Sequence, residues 1–180
     1  MESRLKLFGH PIHPMLIVLP LGLLSVGVLF DLVYVATNNA QWAELAYWNI
    51  TIGILGGLAA AVFGFLDWLD IPANTRAKSI GLIHGTGNLI IVLLFAASWW
   101  MRQGGHAYLP SLLPLVLGLV GVGLALVTAW LGGELVYRLR VGVDADANLD
   151  ATNAIAEDGV IKVGTRGRTH RGGTAGSGAG

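Results

Sequence analysis

FGHPIHPMLIVLPLGLLSVGVLFDLVYV, residues 8 to 35, opens with two His-Pro pairs and then turns apolar. From Met15 to Val35 its single charge is Asp31. At 1.5 Å of rise per residue, roughly 20 apolar residues cross the hydrocarbon core of a bilayer. A secretory signal has a shorter apolar core, about 7–15 residues, so this stretch reads as a retained helix. Three more stretches of the same kind follow, Trp48 to Leu69, Ile80 to Met101 and Leu112 to Leu131. The reading is an all-α protein, a four-helix transmembrane bundle over residues 1–140 with a flexible cytoplasmic tail over 141–180.

Composition agrees. Of 180 residues, 54% are hydrophobic and 12% charged, against about 25% charged in soluble domains. Mean hydropathy is +0.65. The formal net charge is zero, which provides no electrostatic footprint for nucleic acid. The chain has no cysteine, which excludes disulfides, thiolate metal sites and Cys-ligated iron–sulfur clusters. There is no Walker loop, H-E-x-x-H pair or nucleophile elbow.

Basic residues near span ends set orientation. One face would carry Arg4, Lys6, Arg76, Lys78, Arg138 and Arg140, and the other only Arg102. That asymmetry predicts a multi-pass protein of the inner (plasma) membrane with both termini cytoplasmic. Trp42, Trp48, Trp68, Trp99, Trp100 and Trp130 fall at span edges, where aromatic belts form. Beyond Arg140 the chain is rich in Gly, Ala, Thr, Asp and Arg and ends RGRTHRGGTAGSGAG. Such a segment buries too little to order itself. A short strand at Gly159 to Val163 is the one element it suggests, and Arg166, Arg168 and Arg171 form a basic cluster suited to headgroups or a partner.

Small residues predict close helix approach. Gly53, Gly57 and Ala61 recur at four-residue spacing, as do Gly121, Ala125, Ala129 and Gly133; the pattern serves packing within the chain or in a homo-oligomer. Pro20 removes the donor that the Leu16 carbonyl needs, which predicts a bend.

The alternation of spans brings chemistry to one rim. His10 and His13 precede the first span, Asp67 and Asp70 end the second, His84 and Asn88 begin the third, and Glu134 ends the fourth. Pro14 suits a first helical position. His84 would lie about four residues into its span, its ring roughly 6 Å below the helix start. Gly81, His84, Gly85 and Asn88 share a face that leaves the ring room. Ionisable groups at such depth usually face a bundle interior.

Three carboxylates at helix C-termini oppose the macrodipole and need compensation. Arg4, Arg76, Lys78 and Arg138 can supply it as a salt network; a bound cation or the histidines can as well. Two cofactor readings follow. A single Zn, Cu or Fe ion would use His10, His13 and His84 with Asp67 or Asp70, Glu134 standing behind the ligands. A b-type haem would use His84 and one N-terminal histidine, with Asn88 as polar support. Against both stands a plain reading, interfacial histidines that cap and tie loops. At the opposite rim, Asp31 either pairs with Arg102 or faces water, and His106 sits in a solvated loop.

The order GHPIHPMLIVLPLGL (9–23), GFLDWLDIP (64–72), His84 to Asn88, and LGGELVYRLRVGV (131–143) resembles the bacterial membrane-protein family catalogued as domain of unknown function 2231. The resemblance covers residues 8 to 143 and implies a four-helix integral membrane protein. Some relatives are joined to Rieske-type domains, which implies a redox setting; this chain has neither that domain nor cysteine. Three functional classes remain: a redox or metal-binding membrane subunit serving electron transfer, a non-catalytic subunit packed against a larger membrane complex, and a small transporter or proton pathway.

Overall fold

A computed structural model describes residues 1–154 and 161–163. Two short strands, β1 (Leu5–Leu7) and β2 (His10–Pro11), precede a one-turn helix α1 (Ile12–Leu16). The long helices are α2 (Val18–Thr37), α3 (Ala40–Asp70), α4 (Arg76–Met101) and α5 (Leu112–Gly133). A π-helical turn, Glu134–Arg138, extends α5, and β3 (Ile161–Val163) follows.

Four segments are long and apolar enough to span a membrane, Ile12–Thr37, Ala40–Asp70, Arg76–Met101 and Leu112–Arg138. Only 17 to 28% of the most apolar stretch of each is buried within the protein. Leu55, Val62, Leu93, Leu112, Leu126 and Trp130 are among many large apolar side chains left facing outward. Water does not tolerate an apolar surface that continuous; lipid does. The core is correspondingly small: Leu24, Val28, Ile50, Ile91 and Phe95.

Each span is longer than its apolar run because capping residues set its ends. Asn39 accepts from the Gln41 N–H at 3.1 Å and so starts α3 eight residues before Trp48. Thr75 accepts from the Lys78 N–H at 3.1 Å and starts α4 before Ile80. Asn38, in the left-handed conformation (φ 52°), closes α2. Helix α1 gives way to α2 at Ile17, where Pro20 leaves the Leu16 carbonyl without its partner, and Ile17 itself keeps helical dihedrals (φ −62°, ψ −20°). Pro14 is the third helical residue rather than the first, still within the turn whose N–H groups have no intrahelical acceptor.

The tail leaves the bundle later than expected. The Gly142 N–H donates to the Met1 carbonyl at 2.8 Å, and the terminal ammonium donates to the Arg140 carbonyl at 3.1 Å. Ala145 N–H donates to Glu2 at 3.2 Å, and Lys6 joins Glu2 to Asp144. The suggested strand is present as β3, antiparallel to β1 in a sheet of order β2-β1-β3, with Leu5 opposite Val163. Arg166, Arg168, His170 and Arg171 lie outside the described residues.

The two helical hairpins repeat one another. An offset of 71 residues carries α1–α2 onto α4, pairing His13 with His84, Leu24 with Phe95 and Asp31 with Arg102. An offset of 68 carries α3 onto α5, pairing Gly53 with Gly121, Ala60 with Thr128 and Gly64 with Gly132. Packing follows the same rule. A Cβ on Gly53 would lie 2.6 Å from Leu24 Cδ2, and one on Gly121 would lie 2.6 Å from Phe95 Cε2. Glycine is required at both positions because the facing side chain occupies the space of a methyl group. Asp31 and Arg102, equivalent residues, touch each other. Equivalent positions of two hairpins running the same way meet only beside a two-fold axis, so the hairpins are related by an approximate rotation about the bundle's long direction.

Candidate functional site

The helix repeat places two histidines in matching seats. His13 Nδ1 lies 2.9 Å from the Ala60 carbonyl on α3, and His84 Nδ1 lies 2.9 Å from the Thr128 carbonyl on α5. A carbonyl oxygen only accepts, so Nδ1 carries the proton in each ring and Nε2 presents a lone pair, which at His84 faces the Asn88 amide. Each ring rests over a glycine one turn beyond its acceptor. A Cβ on Gly64 would fall 2.7 Å from His13 Cε1, and one on Gly132 would fall 3.2 Å from His84 Cε1.

His84 is deeper than its apolar run suggests. Because α4 begins at Arg76, its ring is about 12 Å along the helix, at 1.5 Å per residue. Its room comes from Gly132 on the neighbouring helix rather than from its own. Gly85 faces open space, and Gly81 lies against the Trp68 ring. Asn88 donates its amide to the His84 carbonyl at 2.8 Å and approaches His84 Nε2 at 3.2 Å. Thr128 Oγ1 donates to Asn88 Oδ1 at 3.3 Å, so the polar group closes on itself between α4 and α5.

The other expected residues lie at the same end with different partners. His10 is exposed on β2. Asp67 accepts from Ser3 Oγ at 2.6 Å, Asp70 pairs with Arg4 at 2.9 Å, and Glu134 pairs with Arg76 at 2.7 Å. Lys78 donates to the Trp68 carbonyl at 2.7 Å and lies 3.8 Å from that ring's centroid, capping the end of α3. The carboxylates are therefore compensated by the salt network, not by imidazoles. Among the described residues, no group of three or more His, Asp or Glu side chains is placed to hold a metal ion. The physical reason is visible in the partners: the aspartates are engaged by Ser3 and Arg4, and His10 points to solvent.

At the opposite end, Arg102 grips Asp31 through two hydrogen bonds of 2.8 and 2.6 Å, both side chains at 0% exposure. Ser98 accepts from Arg102 at 3.1 Å and donates to the Pro114 carbonyl at 2.9 Å.

Residues 9–145 match the family described as Predicted membrane protein (DUF2231). The chain belongs to this family. Its match ends at 145, the residue where the DUF2231 chain is still tied to its N-terminus through Glu2. The DUF2231 chain is also similar to the MFS-type transporter ucsD of Acremonium sp., 34% identical over 103 residues. That similarity takes in 52% of this chain and 17% of the transporter, so the chain spans about a sixth of that relative's length. No solved structure matches.

The seats of the rings, Gly64 and Gly132, are absent from the sequence-based set of site residues. The repeated spacing, 13 to 84 beside 64 to 132, is the signal that points to them.

Proposed function

We propose that this chain is an integral membrane subunit that carries a b-type haem on the imidazoles of its histidine end and serves electron transfer. The observation that carries the reading is the shared anchoring of His13 and His84, each held through Nδ1 by a backbone carbonyl. Ligating histidines are oriented in this way, with the second nitrogen left to the metal. The donor count favours haem over a bare ion. A bare zinc or copper centre takes three or four protein donors, whereas a haem brings four nitrogens and needs only axial ligands. Two anchored imidazoles fit the second requirement, and when bound the haem would supply a one-electron centre. His13 and His84 would hold it, with the Thr128 carbonyl fixing the orientation of the His84 ring and the Asn88 amide giving up Nε2 to the iron.

Orientation follows from charge. Arg4, Lys6, Arg76, Lys78, Arg138 and Arg140 flank the histidine end, and Arg102 at the other end is sealed in an ion pair. This supports cytoplasmic termini in an inner membrane, to be checked by accessibility of single cysteines placed at residues 2 and 104.

The test is a reduced-minus-oxidised visible spectrum of the full chain purified from membranes, with porphyrin quantified per chain. Narrow reduced bands at one porphyrin per chain are expected; a colourless protein contradicts the reading.

A second reading, a packing subunit of a larger membrane complex, is favoured by Gly85 and Gly123, which leave open space on outward helix faces. It predicts co-purification with other membrane proteins and no effect of H84A on that association. Transport is the weakest reading: of its polar candidates Thr51, Thr86, Asn88 and Thr128, all but Thr86 are bonded inside the bundle.

A further inference from the structure

The basic residues at the histidine end are not equally employed. Arg4 pairs with Asp70, Lys6 with Glu2 and Asp144, and Arg76 with Glu134, while Lys78 caps α3 against Trp68. Arg138 and Arg140 are exposed, and neither side chain has a partner among the described residues. Glu134 and Asp144, the nearest carboxylates along the chain, are already taken by Arg76 and Lys6. Two guanidinium charges are therefore left over where α5 leaves the bundle.

The backbone at this point is an independent observation. The π-helical turn closes with the Leu139 N–H donating to the Glu134 carbonyl at 3.1 Å and the Val141 N–H to the Leu135 carbonyl at 2.9 Å. Arg140 then takes the left-handed conformation, φ 52°. Glycine usually stands where a helix ends this way, because a Cβ is costly there. At residue 140 the chain carries that strain and keeps a side chain that bonds to nothing within the described residues. Strain of this kind collects where a side chain contacts a ligand.

The flanking rings indicate which ligand. Tyr137 and Trp130 are 85% and 67% exposed at the end of a membrane-spanning segment. Such rings settle at the headgroup level of a bilayer, apolar body toward the chains and polar tip toward water. A guanidinium at that level meets phosphate, whose oxygens match its fork of donors. We propose that the exit of α5 is an anionic-phospholipid site, with Arg138 and Arg140 on the headgroup phosphate and Trp130 and Tyr137 along the glycerol and upper acyl chains. A zwitterionic headgroup brings its own ammonium, which competes with the arginines, so the site favours a lipid of net negative charge. It does not depend on any cofactor at His13 and His84.

The experiment is native mass spectrometry of the full chain in detergent with equal amounts of phosphatidylglycerol and phosphatidylcholine, beside thermal unfolding of the same samples. The original chain should retain phosphatidylglycerol preferentially, and millimolar inorganic phosphate should not displace it. R138Q and R140Q should each lower that preference roughly fivefold, as one arginine near an anionic surface does, and the double variant should abolish it. R140G should lose as much lipid preference as R140Q yet unfold at a higher temperature, because it relieves the backbone. That opposite movement, with an unchanged elution volume, separates a lost headgroup contact from misfolding. An undiminished preference in R140G or in the double variant overturns the proposal, and so does release of the lipid by inorganic phosphate. Equal retention of the two lipids by the original chain overturns it as well, and leaves the arginines to an acidic protein segment.

Discussion

The two ends of the bundle treat residues related by the repeat in opposite ways: Asp31 and Arg102 hold each other, whereas His13 and His84 are each held by a different helix. At the Arg102 end the repeat has diverged to a carboxylate and a guanidinium, and the pair closes on itself with two short hydrogen bonds and no exposure. At the histidine end the residues have stayed identical, and each ring is held through Nδ1 by a backbone carbonyl of a neighbouring helix, with the Asn88 amide at His84 Nε2. The closed end stabilises the bundle. The matched end ties two helix pairs together through ring-to-carbonyl hydrogen bonds instead of a charge pair.

Breaking the closed end should have the largest effect. R102M leaves the Asp31 carboxylate buried without its partner and should cost about 3–5 kcal/mol, measured by unfolding in mixed detergent micelles. Replacing both, D31L with R102M, should recover most of that loss, because well-packed apolar pairs replace buried ion pairs at little cost. If the double variant is as unstable as R102M alone, the charge pair is not the source of the loss.

The ring seats come next. G64A forces a methyl into the space 2.7 Å from His13 Cε1, whereas G132A meets His84 Cε1 at 3.2 Å. Both overpack, and a penalty of about 1–3 kcal/mol is expected at Gly64 with a smaller one at Gly132. Equal penalties in the same unfolding assay would show that the two seats are not as unequal as their distances say.

Thr128 sharpens the comparison within the histidine end. T128V removes the hydroxyl that Asn88 accepts while keeping the backbone carbonyl that holds His84. Membrane hydrogen bonds of this kind average about 0.6 kcal/mol, so stability should fall by about that amount with the His84 ring still anchored. A nitrogen-15 spectrum of His84 that switches tautomer in T128V would contradict the carbonyl anchor.

The smallest effect is a pH dependence of the N-terminal strap. The hydrogen bond from the Ala145 N–H, then the one from Lys6, holds the Glu2 carboxyl below its ordinary range. Burial pulls the Lys6 ammonium down, but its hydrogen bonds to Asp144 and Glu2 outweigh this and hold it above the usual lysine range. A depressed carboxyl stabilises the folded strap above its unfolded pKa and loses that contribution as pH falls through the folded value. A raised ammonium stabilises below its unfolded pKa and loses that contribution as pH rises through its folded value. The protection of the Ala145 amide relative to its unstructured rate should therefore be greatest between the two ranges and fall below the carboxylate range, and E2Q should make that fall smaller.

The sequence was most legible where one physical rule dominates. Span number and position follow from apolar length alone, and the interruption at Ile17 follows from one missing donor at Pro20. Span ends were misjudged at Ala40 and Arg76 because polar first turns, capped by Asn39 and Thr75, carry no apolar signal. The compensation of Asp70 by Arg4 and of Glu134 by Arg76 was readable from proximity along the topology, since charge pairing is crude enough to foresee. The seating of the histidines was not, because their partners are backbone carbonyls and the absence of a side chain at Gly64 and Gly132. Such features surface only when the two hairpins are laid over each other.

Because the chain contains no cysteine, the axis can be tested directly with paired substitutions and a short thiol-bridging reagent. D31C with R102C serves as the reference pair, and H13C with H84C reports on the histidine end. The account predicts intramolecular bridging in both variants, in the full chain in lipid. Bridging at 31 and 102 with none at 13 and 84 would contradict it, since the rings would then stand apart from the axis they are argued to share.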